Sequence, residues 1–450
     1  MFRPSPDPVD RFASRVTRAG GAENQRGEFI LYWSQSARRM RDNLAFDYAV
    51  ARANEARLPL VVYEALRPDY PSANDRIHRF VLDGVEANRR DATARGAGYV
   101  FFLPPTPADA RGVLRRIAAR ARLVVTDEYP TFIIRTQTRR FVADAPVAVH
   151  LVDGNGILPM RVFGKEQYGA KFLRDKARKL FADFWGPPVE EPLVATRWRG
   201  SLDVDESIAP LDEIAIDHGV APVPTVGGRD AALARLDAFV RDGLAGYATL
   251  RNRLPRHSSG LSPYLHFGHI GIHEIAARVL ASDAPQEDVD SFLEQAIIRR
   301  ELSFNLCFYR DDHDSLSALP DWAKKTLDAH RRDRRKPLYD AAALEAAATH
   351  DEVWNAAQQQ LVATGTMHGY MRMVWGKKAL EWCATPEEAH AFLIAQHEKY
   401  ALDGRDPNTH AGVLWCFGKH DRPWAPERPI FGMIRYMSSE RAAKKTSPPR

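Results

Sequence analysis

From Phe29 to about residue 155, short apolar runs alternate with longer amphipathic ones. FILYW, LPLVVYEAL, GYVFFL, RLVVTDEY and VAVHLVD read as buried strands, and the segments around residues 36–56, 76–95, 107–121 and 133–143 carry helical periodicity. Strand and helix in regular succession predict an α/β N-terminal half built on a doubly wound parallel sheet. No GxGxxG follows the first strand and no GxxxxGK[ST] occurs, so a dinucleotide or P-loop site is not expected there. Between Gly186 and Arg229 the chain is rich in Pro, Gly and charge without sustained periodicity, which predicts an interdomain connection. Beyond Asp230 the pattern turns helical almost throughout, as in AALARLDAFVRDGLAGYATLR and DVDSFLEQAIIRRELSFNLCFY. The expected organisation is an α/β domain over 1–185, a linker over 186–229 and an all-α domain over 230–450.

Composition adds limits. At 450 residues the chain exceeds one ordinary core, and 45% hydrophobic with 27% charged residues is the balance of a soluble globular protein. No apolar run approaches a membrane span, and the start, MFRPSPDPVDRF, lacks a secretory hydrophobic segment, so the expected location is cytoplasmic. Cys307, Cys383 and Cys416 are far apart and form no CxxC pair, which predicts reduced, mostly buried thiols and no metal site. Lys and Arg total 63 against 58 Asp and Glu, too small an excess to announce nucleic acid. The stretch KHDRPWAPERPIFGMIRYMSSERAAKK is different: it is basic and interleaved with aromatics, the composition that tracks phosphates and stacks bases, although a solvated surface shares it.

The segment WNAAQQQLVATGTMHGYMRMVWGKKALEW places a tryptophan at each end and one between. Trp375 and Trp382 are two helical turns apart on one face, with roughly 10 Å between their backbones. If Gly365 is the turn of a helical hairpin, Trp354 comes level with Trp375. Three indoles would then form one cluster. The spacing serves a packed core or a relay passing an electron between a buried cofactor and the surface, and by itself leaves both open.

Several runs together resemble the DNA photolyases and cryptochromes, and within them the class II cyclobutane pyrimidine dimer photolyases. They are FILYW, GLSPYLHFGHI, IIRRELSFNLCFY, the tryptophan segment, EKYALDGRDPN and ERPIFGMIRYM, in the family's order across most of the chain. The resemblance implies a Rossmann-like antenna domain followed by a helical FAD-binding domain. It implies light-driven electron transfer from reduced FAD to a pyrimidine dimer flipped out of UV-damaged DNA, in a monomeric lyase; photolyases are among the enzymes known to extrude their target base. A cryptochrome-like blue-light receptor that binds FAD without repair is the alternative.

Carried over position by position, the resemblance implies that Ser258, Ser259, Gly260, Leu261 and Ser262 hold the FAD diphosphate, just ahead of a helix whose N–H groups favour an anion. Tyr247, Arg300, Asn305, Asp406 and Asn408 match cofactor-side positions, and Arg372 with Asp403 matches an ion pair beside the isoalloxazine. Glu301 matches the active-site glutamate that hydrogen-bonds the dimer carbonyls. Met373 and Trp415 match the wall of the lesion pocket, Arg435 an arginine bracing it, and Arg422 and Lys419 are expected phosphate contacts. Trp375, Trp354 and Trp382 match the tryptophan relay, with Trp375 nearest the flavin. Taken with the resemblance, the relay ranks above packing.

Two positions depart from the family pattern. His397 stands in QHEKY where an LNxKY run is usual, at the position facing flavin N5; with an ordinary imidazole value near 6.5 it would make the flavin's redox behaviour pH-dependent. Phe304 stands where an Asp is usual. Around YWSQSARR and VDGNGILP the N-terminal half also departs, and a deazaflavin antenna, a folate antenna or none remain open.

Overall fold

The structure is a computed structural model that describes residues 10–12, 14–186, 190, 192–253 and 257–446. The N-terminal start, positions 187–189 and 191 of the Pro-rich connection, Arg256 ahead of Ser258 and the last four residues lie outside the described residues. The chain forms two compact units. One comprises Met1–Gly164, Ala177–Asp237 and Leu261–Ser282, the other Lys165–Lys176, Ala238–Gly260 and Asp283–Arg450.

The first unit carries a six-stranded sheet: β1 (Val16–Gly20), β2 (Phe29–Ser34), β3 (Leu60–Ala65), β4 (Gly98–Phe102), β5 (Ala121–Asp127) and β6 (Ala148–Val152), in the order β1-β6-β5-β2-β3-β4. β2 to β6 are the five expected strands and pair in parallel. Alternate residues of β2 enter two different cores: Ile30 and Tyr32 join one, Phe29, Leu31 and Trp33 the other. A strand covered on both faces has no reason to alternate in polarity, which is why these runs are continuously apolar. β1 is a sixth strand beyond the expected parallel set. It adds to the edge antiparallel to β6, and VTRAG, unlike the buried GYVFF of β4 at the opposite edge, is partly exposed and lacks an apolar run.

Strand order reverses between β2 and β5, the place where such sheets bind ligands. Here Asp127 fills it. Its Oδ2 accepts from the backbone N–H groups of Gln35, Ser36 and Ala37 at 2.8, 2.8 and 3.1 Å, and Tyr32 donates to Oδ1 at 2.9 Å. A carboxylate of the chain thus occupies the nest that would cradle a phosphate in a dinucleotide-binding sheet.

The second unit is helical. A continuous helical run crosses Gln286–Tyr309, and its middle, Glu294–Arg299, is π-helical, immediately before Arg300 and Glu301. Helices Glu352–Thr364 and Gly369–Trp382 form the expected hairpin. Gly365 caps the first in the left-handed conformation, which costs glycine nothing. Helix Pro407–Cys416 crosses the second so closely that a Cβ on Gly376 would lie 2.6 Å from Cys416 Sγ. All three cysteines are buried and free, and burial raises the Cys383 thiol to about 12 and the Cys416 thiol to about 11. Among the described residues no helix is long and apolar enough to cross a membrane, and no group of His, Cys, Asp and Glu could hold a metal ion.

Candidate active site

The hairpin brings the three tryptophans into one contact series. Trp354 stacks on Trp375 with centroids 6.3 Å apart and meets Trp382 edge-on at 5.6 Å. All three are at most 1% exposed. Two hydrogen bonds set the ring orientations: Trp354 Nε1 donates to the Trp375 carbonyl and Trp375 Nε1 to Gln358 Oε1, both at 3.0 Å. Gln358 is in turn held by Gln396 at 2.7 Å, so a buried indole N–H finds a buried, oriented acceptor.

Trp375 also meets His397, edge-on at 5.4 Å. Its Nδ1 donates to the Leu393 carbonyl at 2.7 Å, which places the lone pair on Nε2. Burial, reinforced by Arg372, lowers its value to about 4. The expectation of a group titrating near 6.5 is therefore corrected: His397 is neutral at neutral pH. With 6.5 in the unfolded chain and about 4 in the folded one, neutral His397 contributes stability that is complete above pH 6.5 and lost as pH falls through 4. His397→Asn should remove about 2–3 kcal/mol of that acid-side loss and move the acid-unfolding midpoint, followed by circular dichroism, to lower pH.

Arg372 and Asp403 form an ion pair at 2.7 Å, and Arg372 Nε also donates to the Met367 carbonyl. Asp406 caps helix Pro407–Cys416, accepting from the Asn408 N–H at 2.8 Å and from its side-chain amide at 2.6 Å. Two residues beyond Asn408 in that helix is His410, 4% exposed, whose two ring nitrogens have no hydrogen-bond partner among the described residues; burial lowers its value to about 3. His410 carries no signal in the sequence, where nothing in PNTH distinguishes it from a core histidine.

Arg300, Glu301 and Asn305 are all buried on helix Arg300–Tyr309. Phe304 lies beneath the Arg300 guanidinium at 4.4 Å, so this departure supplies a cation–π platform where a carboxylate was expected. The Asn305 amide is engaged elsewhere. It accepts from the Gln167 N–H at 2.7 Å and donates to the Lys165 carbonyl at 3.2 Å, bracing that segment. Tyr247 packs in an aromatic group with Phe239 and Phe292, and the Gly246 and Ala248 N–H groups beside it donate to Asp288. Ser258, Ser259 and Gly260 end a segment of the second unit, while Leu261 and Ser262 begin one of the first. The helix after them, Ser262–His266, has five residues, so the dipole expected there is small.

Met373 and Trp415 are half-buried, and the Arg299 guanidinium sits 5.3 Å over the Trp415 ring. Arg422 and Arg435 are exposed and flank Trp424 from 4.7 and 4.9 Å. Lys419 is a correction: it is 6% exposed, its Nζ bonded to the Ala318 carbonyl at 2.6 Å and paired with Glu166 at 2.5 Å, and a lysine so enclosed cannot reach a phosphate.

The helical unit thus gathers a buried tryptophan series, His397 and the Arg372–Asp403 ion pair. No family model matches the chain. The deoxyribodipyrimidine photo-lyase of Methanothermobacter thermautotrophicus is 39% identical over 445 residues, covering 96% of each chain. That of rice is 38% identical over 94% of this chain and 86% of its own, and that of Potorous tridactylus 35% over 91% and 78%. A bacterial class III photolyase from Agrobacterium tumefaciens shares the fold with a TM-score of 0.70 at 18% identity, covering 93% of this chain and 84% of its own. The chain belongs to the DNA photolyase and cryptochrome family.

Proposed function

We propose that this protein is a deoxyribodipyrimidine photo-lyase of the class II type, which repairs cyclobutane pyrimidine dimers in UV-damaged DNA under blue light. The observation that carries it is the near-complete coverage at 39% identity by a relative of that name, with the tryptophan series intact in the structure. The chain divides by role into an antenna-type region (1–185), a linker (186–229) and a cofactor- and lesion-binding region (230–450).

The donor set of the helical unit fits FAD. Arg372 supplies a cation for an electron-rich reduced ring, and Asp403 keeps that cation from being an isolated buried charge. Asp406 and Asn408 offer acceptor and donor atoms, neutral His397 offers a lone pair, and His410 has two buried nitrogens still to be satisfied. When bound, reduced FAD supplies the light-excited electron that splits the cyclobutane ring and takes it back afterwards. The protein's part is position and electrostatics. Glu301 donates a hydrogen bond to the dimer carbonyl and steadies the negative charge gathering there. Met373 and Trp415 form the wall against the flipped bases, and Arg422 and Arg435 contact phosphates and hold the opened duplex. Trp375, Trp354 and Trp382 pass electrons inward to restore the reduced cofactor.

Arg372→Met leaves Asp403 without its partner and should weaken FAD binding by about 10- to 100-fold, measured as flavin retained after dialysis. The function is tested by illuminating chemically reduced protein with a dimer-containing oligonucleotide while its visible spectrum is recorded. Repair in blue light and not in darkness is the expected result. A flavin spectrum without repair would replace it with a light-sensing, cryptochrome-like role.

A further inference from the structure

The tryptophan series does not end at Trp382. Tyr339 meets that indole edge-on with centroids 5.7 Å apart, and His350 meets it at 5.2 Å. The two stack on each other at 6.0 Å with planes 13° apart. Trp382 is 1% exposed, whereas Tyr339 is half-buried and His350 exposed, so this pair is where the cluster reaches solvent. The Tyr339 hydroxyl oxygen accepts from the His350 backbone N–H at 2.9 Å and lies 2.9 Å from His350 Nδ1. With the imidazole proton on Nε2, Nδ1 accepts the phenolic proton and every polar hydrogen of the pair has a partner or faces solvent. The Tyr339 backbone is tied to Trp382 as well, its N–H donating to the Trp382 carbonyl at 3.1 Å, which holds phenol and indole in register.

A phenol loses an electron readily only if its proton can leave at the same time, because the protonated phenoxyl radical is a very strong acid. A bare tyrosine beside Trp382 would be a packing residue. A tyrosine whose O–H is already aimed at an imidazole lone pair is equipped for coupled transfer.

We infer that Tyr339, with His350 as its proton acceptor, is a fourth redox-active position that reduces Trp382 and carries the oxidising equivalent to the surface. This rests on the reading of the three indoles as a relay. Light-driven reduction of the flavin leaves one electron missing from the series, finally as the Trp382 indole radical cation. One electron passes from the Tyr339 phenol to that indole, the phenolic O–H bond breaks, and its proton forms a bond to His350 Nδ1. The products are a neutral indole, a neutral phenoxyl radical and an imidazolium, with the single positive charge conserved. A solvent thiol then returns an electron to the phenoxyl oxygen, and the imidazolium returns the proton.

The test is flash photolysis of the FAD-loaded full chain, with electron paramagnetic resonance to identify the radical. The wild type should show a tyrosyl signal growing as the tryptophanyl signal decays. Tyr339→Phe, which keeps the ring and its packing, should abolish the tyrosyl signal and lengthen the tryptophanyl lifetime by about tenfold or more, a barrier change of about 1.4 kcal/mol. His350→Gln separates proton acceptance from hydrogen bonding, since an amide oxygen can accept the hydrogen bond but not the proton. It should slow tyrosyl formation while leaving the flavin spectrum unchanged. A tryptophanyl radical whose decay is the same in the wild type and in Tyr339→Phe overturns the inference and leaves the relay standing. No light-induced radical in the wild type overturns the relay and this inference with it.

Discussion

Glu301→Gln is expected to lower repair per absorbed photon by about tenfold while the protein keeps its flavin. Glu301 is 3% exposed on the helix that follows the π-helical turn, so it can act only on something brought into the interior. Glutamine preserves length and supplies N–H donors. What it loses is a proton that can shift toward the dimer carbonyl as negative charge develops there. Glu301→Ala removes donors altogether and should cost about 10²-fold, the range seen when a single oxyanion donor is deleted. Dimer repair at matched light dose, together with flavin absorbance, checks both. Full repair in Glu301→Gln would remove the glutamate from the chemistry.

Trp375→Phe should separate two activities that normally occur together. Illumination of oxidised protein with a thiol should no longer reduce the flavin, because the indole nearest His397 is gone and Trp354 is left one ring further away. Repair by protein reduced chemically beforehand should persist, since Glu301 is untouched. The exchange also leaves a small void in a site 1% exposed and deletes the partner of Gln358 Oε1, costing about 1–3 kcal/mol of stability. Thermal unfolding measures that loss independently. Photoreduction at the wild-type rate would return the three tryptophans to the status of packing residues.

The parts of this molecule that were legible in its sequence are those in which one local rule dominates. β2 to β6 announce themselves because strands buried on both faces are apolar over several consecutive residues, with few breaks such as Glu64 and His150, and Gly365 announces the hairpin because few other residues tolerate its left-handed turn. β1 was not legible, since its partly exposed VTRAG carries no apolar run. Lys419 was misread for a related reason. A basic residue in a basic stretch suggests a phosphate contact, and only its long-range partner, Glu166, reveals an internal ion pair. The value of His397 depends on surroundings assembled from distant segments, Arg372 and Asp403 among them. Asp127 illustrates the same limit: the missing glycine motif says that a nucleotide is not expected, but not that a carboxylate takes up three N–H groups in its place.

The π-helical turn at Glu294–Arg299 gives the candidate active site a frame of its own. Such a turn holds one residue more than an α-helical turn, so every residue after it is advanced by about 100° around the axis relative to an uninterrupted helix. Arg300, Glu301 and Asn305 owe their directions to that offset. Deleting one residue, for instance Gln295, would let the run close into regular α-helix and re-aim all three without altering any of them. Aim is therefore written into this protein separately from chemical identity, as a count of residues.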